Sequence, residues 1–200
     1  MRSGLASAWL VALALATGCL GGPKTAPRYY TLSPPAGSTA GAALAARPEL
    51  GLVVGPIDFP RYLDRPELVT RSGPHLLLVW PEHRWGGSLQ TDILRVIADD
   101  LGQLLGTSRI AIYPNEPRFA PDVRVLIELL ELDGVQGQSV TLRARWTLAG
   151  ADGRALAIGE SIGQQAVASP SIEDLVAAQN AALGVMAREL AERMQSLPRR

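Results

Sequence analysis

Ser139–Leu148, SVTLRARWTL, is the stretch whose pattern decides the fold. Val140, Leu142, Ala144, Trp146 and Leu148 alternate strictly with Thr141, Arg143, Arg145 and Thr147, the period of two that gives a β-strand one buried face and one wet face. Upstream, Asp122–Leu132, DVRVLIELLEL, is a second long strand, with the turn between the two expected at Asp133-Gly134 and Gly137. Downstream, Ala151-Asp152-Gly153-Arg154 is a tight turn into a third strand, Ala155–Ala168. Three strands joined by short turns make an antiparallel meander.

The apolar face of such a meander needs a cover, and two helices are available. Over Ser88–Leu105, Leu89, Ile93, Val96, Ile97, Leu101, Leu104 and Leu105 fall on one face, while Gln90, Asp92, Arg95, Asp99 and Gln103 fall off it. Ser88 is placed to cap its start and Gly106 to end it. The last helix is expected over Ile172–Gln195, with Leu175, Val176, Gln179, Leu183, Met186, Leu190 and Met194 as its stripe. Ser171 and Asp174 form a weak capping box at its start. Arg28–Leu32, Leu50–Ile57, His75–Trp80 and Arg109–Tyr113 read as further strands, and Ser33–Pro48 as a surface loop. The expectation is one α/β domain: a mixed, partly antiparallel sheet with two long amphipathic helices packed on it.

Composition narrows the function classes. Lys plus Arg and Asp plus Glu both number 19, so no basic footprint marks a nucleic-acid partner. With 47% apolar residues and a single cysteine, stability must come from packing, not disulfides. That cysteine, Cys19, closes a stretch with a basic Arg2, an apolar run Leu5–Ala16 and the small residues Ala16-Thr17-Gly18. The apolar run is too short to span a bilayer and has the layout of a secretory signal over residues 1–18. Its end resembles the lipobox of bacterial lipoproteins, with Ala16 where leucine is commonest, which implies cleavage before Cys19 and a lipid on its thiol. The alternative is an ordinary signal cleaved near Ala14 or Ala16, leaving a free thiol. Leu20–Pro27 continues the tether, and pulled straight it reaches about 28 Å. Leu20 is not the aspartate that resembles an inner-membrane retention signal, so the expected location is the periplasmic face of the outer membrane.

Gly55–Arg71, GPIDFPRYLDRPELVTR, carries the most information per residue. Pro60 and Pro66 push Phe59 and Arg65 toward extended conformations, so a rigid, shaped loop is expected. It presents Tyr62, Leu63, Asp64 and Arg65, aromatic and aliphatic anchors beside an opposite-charge pair. The plainer alternative is a structural crossover with Asp64 capping a turn and Tyr62 covering a core edge. Pro81–Gly87, PEHRWGG, is expected as a second loop, with Arg84 and Trp85 together as an interface anchor unless Trp85 packs under the first helix.

This signature resembles that of the PqiC (YmbA) lipoproteins, auxiliary components of ABC-type and MCE-domain transport systems. Tyr29-Tyr30-Thr31-Leu32, His83-Arg84-Trp85 with Ser88-Leu89, and Leu94-Arg95-Val96-Ile97 with Leu101 follow in the same order. Gly86-Gly87-Ser88 departs from the Ala-Glu-Pro more frequent there. The resemblance implies a periplasmic domain over residues 28–200 behind a lipidated tether over 19–27. It further implies a non-catalytic subunit of a system moving lipids or other hydrophobic cargo between membranes, which supports envelope integrity by docking a periplasmic MCE-domain partner. Tyr62, Leu63, Asp64, Arg65, Arg84 and Trp85 are then the candidate interface, for that partner or for self-assembly. A structural lipoprotein of an envelope complex without a cargo role is the rival reading.

No enzymatic constellation stands up. Gly159-Glu160-Ser161-Ile162-Gly163 is a literal G-x-S-x-G, but both histidines, His75 and His83, lie upstream and the context reads as strand, not strand-turn-helix. Two histidines and one cysteine are too few for a zinc site, and no glycine-rich loop opens a helix, so no metal or cofactor is expected. Glu128 and Glu131, three apart on a strand, should point to opposite faces, and Arg143 and Arg145 should form a solvated polar strip.

Overall fold

The computed structural model describes residues 26–33, 42–115 and 117–198; Cys19, the signal segment and most of the tether lie outside the described residues. In chain order the elements are β1 (Arg28–Tyr30), β2 (Leu52–Asp58), β3 (Glu67–Arg71), β4 (Leu77–Trp85), α1 (Leu89–Leu105), β5 (Ile110–Ile112), β6 (Val123–Val135), β7 (Ser139–Gly150), β8 (Ala155–Ala166) and α2 (Ile172–Gln195). Five strands form one sheet in the order β5-β2-β6-β7-β8, and three form another in the order β1-β4-β3. In the large sheet β5, β2 and β6 run parallel, while β6, β7 and β8 make the antiparallel meander. Among the described residues this is a single domain of mixed sheets with two helices, as the sequence pattern implies.

Both helices cover the apolar side of the large sheet, α1 over β2 and β5 and α2 over β6, β7 and β8. Val140, Leu142, Ala144, Trp146 and Leu148 are all buried beneath them, in one core with Leu101, Leu104, Leu183 and Leu190. Each such leucine contributes about 2 kcal/mol by leaving water. Caps set the helix ends. The Ser88 side chain accepts from the Thr91 N–H, Gly106 closes α1 in the left-handed region at φ 60°, and the Ser171 side chain accepts from the Asp174 N–H.

Three departures from the sequence pattern have local causes. Residue Leu130 is extra in β6, and the register resumes with Glu131 opposite Arg143 after Glu128 opposite Arg145. That bulge brings Glu128 and Glu131 to the same face, contrary to simple alternation. The polar strip is a charge ladder: Arg143 pairs with Glu160 at 2.8 Å and Arg145 with Glu128 at 3.4 Å. Second, β6 continues through Asp133 and Gly134, and the turn falls at residues 136–138. Gly134 is required there because a Cβ would lie 2.5 Å from Leu175 Cδ1, so α2 sits directly on the strand.

Third, Pro81–Trp85 belongs to β4, not to a loop, and Glu67–Arg71 of the proline-rich stretch is β3. Opposite β3, the β4 register jumps from Trp80 (against Leu68) to Arg84 (against Glu67). Pro81 is tolerated because it stands in that bulge, where no ladder donor is needed. Past the bulge, His83, Arg84 and Trp85 pair in parallel with Arg28, Tyr29 and Tyr30. The segment 42–48 has no regular structure but is fastened to the helix ends: Leu44 N–H donates to Leu104 O, and Arg47 Nη1 to Met194 O at 2.6 Å.

Two substitutions test this packing. A Cβ at Gly159 would stand 2.3 Å from the Trp146 ring, whereas one at Gly163 would meet nothing within 4 Å. Gly159→Ala is therefore expected to lose about 1–3 kcal/mol and several degrees of Tm in a thermal melt, with Gly163→Ala close to wild type. Asp100, fully buried on α1, has neither carboxylate oxygen hydrogen-bonded among the described residues. Burial pushes its carboxyl up from 3.8 to about 6. A carboxyl whose folded value is raised favours folding most when protonated. Its contribution is full below about pH 3.8, is lost as pH rises to about 6, and amounts to a penalty of about 3 kcal/mol above that. Asp100→Asn should remove this loss, raising Tm relative to wild type at pH 7 by on the order of 5 °C but much less at pH 4.

Candidate docking surface

The chain leaves β2 through a compact loop, in which Leu63 N–H donates to Pro60 O, Asp64 N–H to Arg61 O and Arg65 N–H to Leu63 O. These short-range bonds follow from the two prolines, which fix φ on either side of the turn. The loop turns its apolar members inward. Leu63 is buried in the core, and Tyr62 is half-buried, its hydroxyl donating to Asp133 Oδ1 at 2.5 Å. Burial, first, and the neighbouring Asp133 carboxylate raise the Tyr62 phenol well above its usual range, so it stays a neutral donor.

Asp133 is the meeting point. Its Oδ2 accepts from Arg71 Nε at 2.6 Å and also from Arg71 Nη2, while Oδ1 takes the Tyr62 proton. One carboxylate on β6 thereby holds both the loop and the end of β3. Sequence reading placed Asp133 in a turn and missed this role. An Asp-Gly pair is a turn signal, and nothing local marks the tyrosine and arginine that it binds from 71 and 62 residues away.

Trp85 is also inside. It is 5% exposed and packed in the core, and its backbone N–H donates to Pro66 O. The interface anchor expected at Trp85 is corrected to a core residue, because pairing of its strand with β1 turns the indole toward the body. Leu63 is likewise core. Of the six residues singled out, Asp64 and Arg65 are exposed and Arg84 is partly exposed. Arg65 Nε pairs with Glu67 at 3.1 Å and Arg84 Nη2 with the same carboxylate at 3.6 Å. The hydrogen bond from Arg65 holds the Glu67 carboxyl below its usual range. The cluster is a small patch of balanced charge on a rigid base, two arginines over the Glu67 carboxylate with Asp64 at its edge.

Ser161 has a packing role. It is buried, accepts from Trp146 Nε1 at 3.1 Å and donates to Glu189 Oε2. His83 is engaged by the Tyr30 hydroxyl at 2.8 Å, and His75 lies exposed just before β4, so neither histidine serves the serine. The flanking Gly159 makes room for Trp146. Among the described residues no cluster of three or more His, Cys, Asp or Glu could hold a metal, and no helix is long and apolar enough to cross a membrane. A concavity of about 430 Å³, lined by Leu50, Val123, Leu156 and Leu197 beside Arg47 and Asp122, lies at the opposite end of β2 from the loop.

A graded series tests the Asp133 junction. Tyr62→Phe removes one hydrogen bond and is expected to cost about 1 kcal/mol. Asp133→Asn strips Arg71 of its counter-charge and should cost about 2–3 kcal/mol, near the lower end for a broken buried pair because Arg71 keeps some solvent contact. Urea unfolding of both variants reads the difference.

Comparison with known proteins agrees with the architecture. A crystal structure of an uncharacterized protein superposes with a TM-score of 0.69 at 12% identity, covering 84% of this chain and 99% of that one. A protein from Xanthomonas campestris superposes with a TM-score of 0.63 at 16% identity, covering 84% and 94%. At these identities the likeness shows the fold. A PelC dodecamer from Paraburkholderia phytofirmans is more distant, with a TM-score of 0.39 at 14% identity over 74% of this chain and 92% of that one. No curated protein sequence matches the chain. A family model, in contrast, matches residues 30–191, from the buried Tyr30 of β1 to Ala191 near the end of α2. The chain therefore belongs to the family of ABC-type transport auxiliary lipoprotein components.

Proposed function

We propose that this chain is the non-catalytic, outer-membrane lipoprotein subunit of an MCE/ABC-type system that carries lipids or other hydrophobic cargo between membranes. The family match over residues 30–191 carries the reading. Cys19 takes the lipid and holds the domain at the periplasmic face, and a periplasmic MCE-domain partner comes to it, since a tether of about 28 Å cannot cross the periplasm. Asp64, Arg65 and Arg84 supply the docking surface for that partner. Their exposure and the stiffness of the underlying loop support the assignment: a contact patch on a pre-organised base loses little entropy on binding. Tyr62, Leu63 and Trp85 act beneath it by fixing its shape.

Affinity purification of the membrane-extracted, C-terminally tagged protein, with mass spectrometry of its partners and of its N-terminal peptide, tests both halves. A diacylated Cys19 and a co-purifying MCE-domain protein are expected. Asp64→Lys, Arg65→Glu and Arg84→Glu together should lower recovery of that partner by about tenfold or more at unchanged Tm, because reversed charges at a docking patch oppose association. Undiminished recovery would remove this patch from the interface. A lipidated protein that brings down other envelope proteins and no MCE-domain protein would favour the structural role.

A further inference from the structure

The turn between β3 and β4 and the first half of β4 form an apolar projection that the core does not account for. Leu76, Leu77, Leu78, Val79 and Trp80 are consecutive, and Leu76, Leu78 and Val79 are 54%, 38% and 40% exposed. Alternation places Leu78 and Val79 on opposite faces of the hairpin, so both faces are apolar and both meet solvent. A run of this kind on a surface marks an interaction site. From Leu68 to Pro81 the chain has no acidic residue; its only lysine or arginine is Arg71, which is neutralised by Asp133.

The hairpin is also stiffened by bonds within it. Ser72 N–H donates to Leu76 O at 2.8 Å, Arg71 Nη1 to Pro74 O at 3.0 Å, and Trp80 Nε1 to Thr70 Oγ1 at 2.9 Å across the strands. These bonds lower the cost of bringing the tip into an apolar medium.

The direction of the chain selects the occupant. β1 runs parallel to β4, with Arg28 opposite His83 and Tyr30 opposite Trp85. β1 is therefore entered from the side on which β4 begins, which is the side of the hairpin tip. From His83 to Leu77 is about 20 Å of strand. Cys19 to Arg28 reaches at most about 30 Å when extended, which is length enough for a lipid on Cys19 and the hairpin tip to meet one bilayer.

We propose that the β3–β4 hairpin is a second membrane attachment, a wedge that seats Leu76, Leu78 and Val79 in the headgroup and acyl boundary of the bilayer that holds the Cys19 lipid, with Trp80 at its rim. The proposal rests on the reading of Cys19 as lipidated. Lipid alone leaves a domain free to swivel on its tether; a second contact fixes which face it turns to the periplasm. In this pose the membrane-proximal end is the hairpin tip, and the charged patch around Arg84 and Asp64 stands back from it, open to a partner from the other side.

The test uses full-length protein extracted from its membrane, carrying Leu76→Cys labelled with nitrobenzoxadiazole and returned to vesicles of phosphatidylethanolamine and phosphatidylglycerol, with and without doxyl lipid. Ile158→Cys, at a site 72% exposed on β8, is the control. At position 76 the emission is expected to shift to the blue and to be quenched about twofold or more by doxyl lipid, while position 158 stays aqueous. Equal, unquenched aqueous spectra at both positions on a protein that floats with the vesicles, with Cys19 acylated by mass, would overturn the wedge alone. A blue shift at 76 without doxyl quenching, together with disulfide cross-linking of unlabelled Leu76→Cys protein, would overturn it in favour of a second copy covering the hairpin. An unmodified Cys19 on a protein that does not float would bring down the anchoring reading, and the wedge with it.

Discussion

A single buried carboxylate, Asp133 on β6, joins the two sheets of this protein. Three N–H and O–H donors from Tyr62 and Arg71 converge on it. Burying a carboxylate costs several kcal/mol, and only close, charge-assisted hydrogen bonds offset that cost. Because β6 lies in the middle of the large sheet, these bonds fix the small sheet and the loop after β2 to the most constrained strand in the molecule.

That constraint explains why Tyr62 and Leu63 of the proline-rich stretch turn inward. With Tyr62 drawn to Asp133 and Leu63 into the core, the loop is a shaped scaffold whose surface is left to its charged members. Arg65 and Arg84, which come from the loop and from a strand, meet over the same Glu67 carboxylate. The same small sheet holds β1 in parallel beside the end of β4. The apolar run of β4 and the charged patch thus lie on the same small sheet and on the loop that leads into it.

The helices were the most legible part of the sequence, and α2 was bounded to the residue. Amphipathic stripes over many turns, closed by Ser88, Gly106 and Ser171, leave little freedom once an apolar face must be covered. The meander was legible for the same reason at a period of two. Errors collected at irregularities: the Leu130 bulge, the Pro81 bulge, and an Asp-Gly pair that continues a strand because α2 packs on the glycine. In the candidate site, the exposure of Asp64, Arg65 and Arg84 was legible from their charge, whereas the burial of Trp85 and Leu63 was not.

By itself the sequence determined the fold class, the helix limits, the balance of charge and the resemblance that names a family, since all of these depend on residue order and on the period of apolar side chains. Only the tertiary structure decided which loop residues face water, which carboxylate carries the sheet junction, and that the strand in the HLLLVW run leaves Leu76, Leu78 and Val79 exposed. The physical reason is that burial is not a property of a residue or of its neighbours in the chain. It depends on what arrives from a distance, as Arg71 and Tyr62 do at Asp133, and on what fails to arrive, as at Leu76 and Leu78.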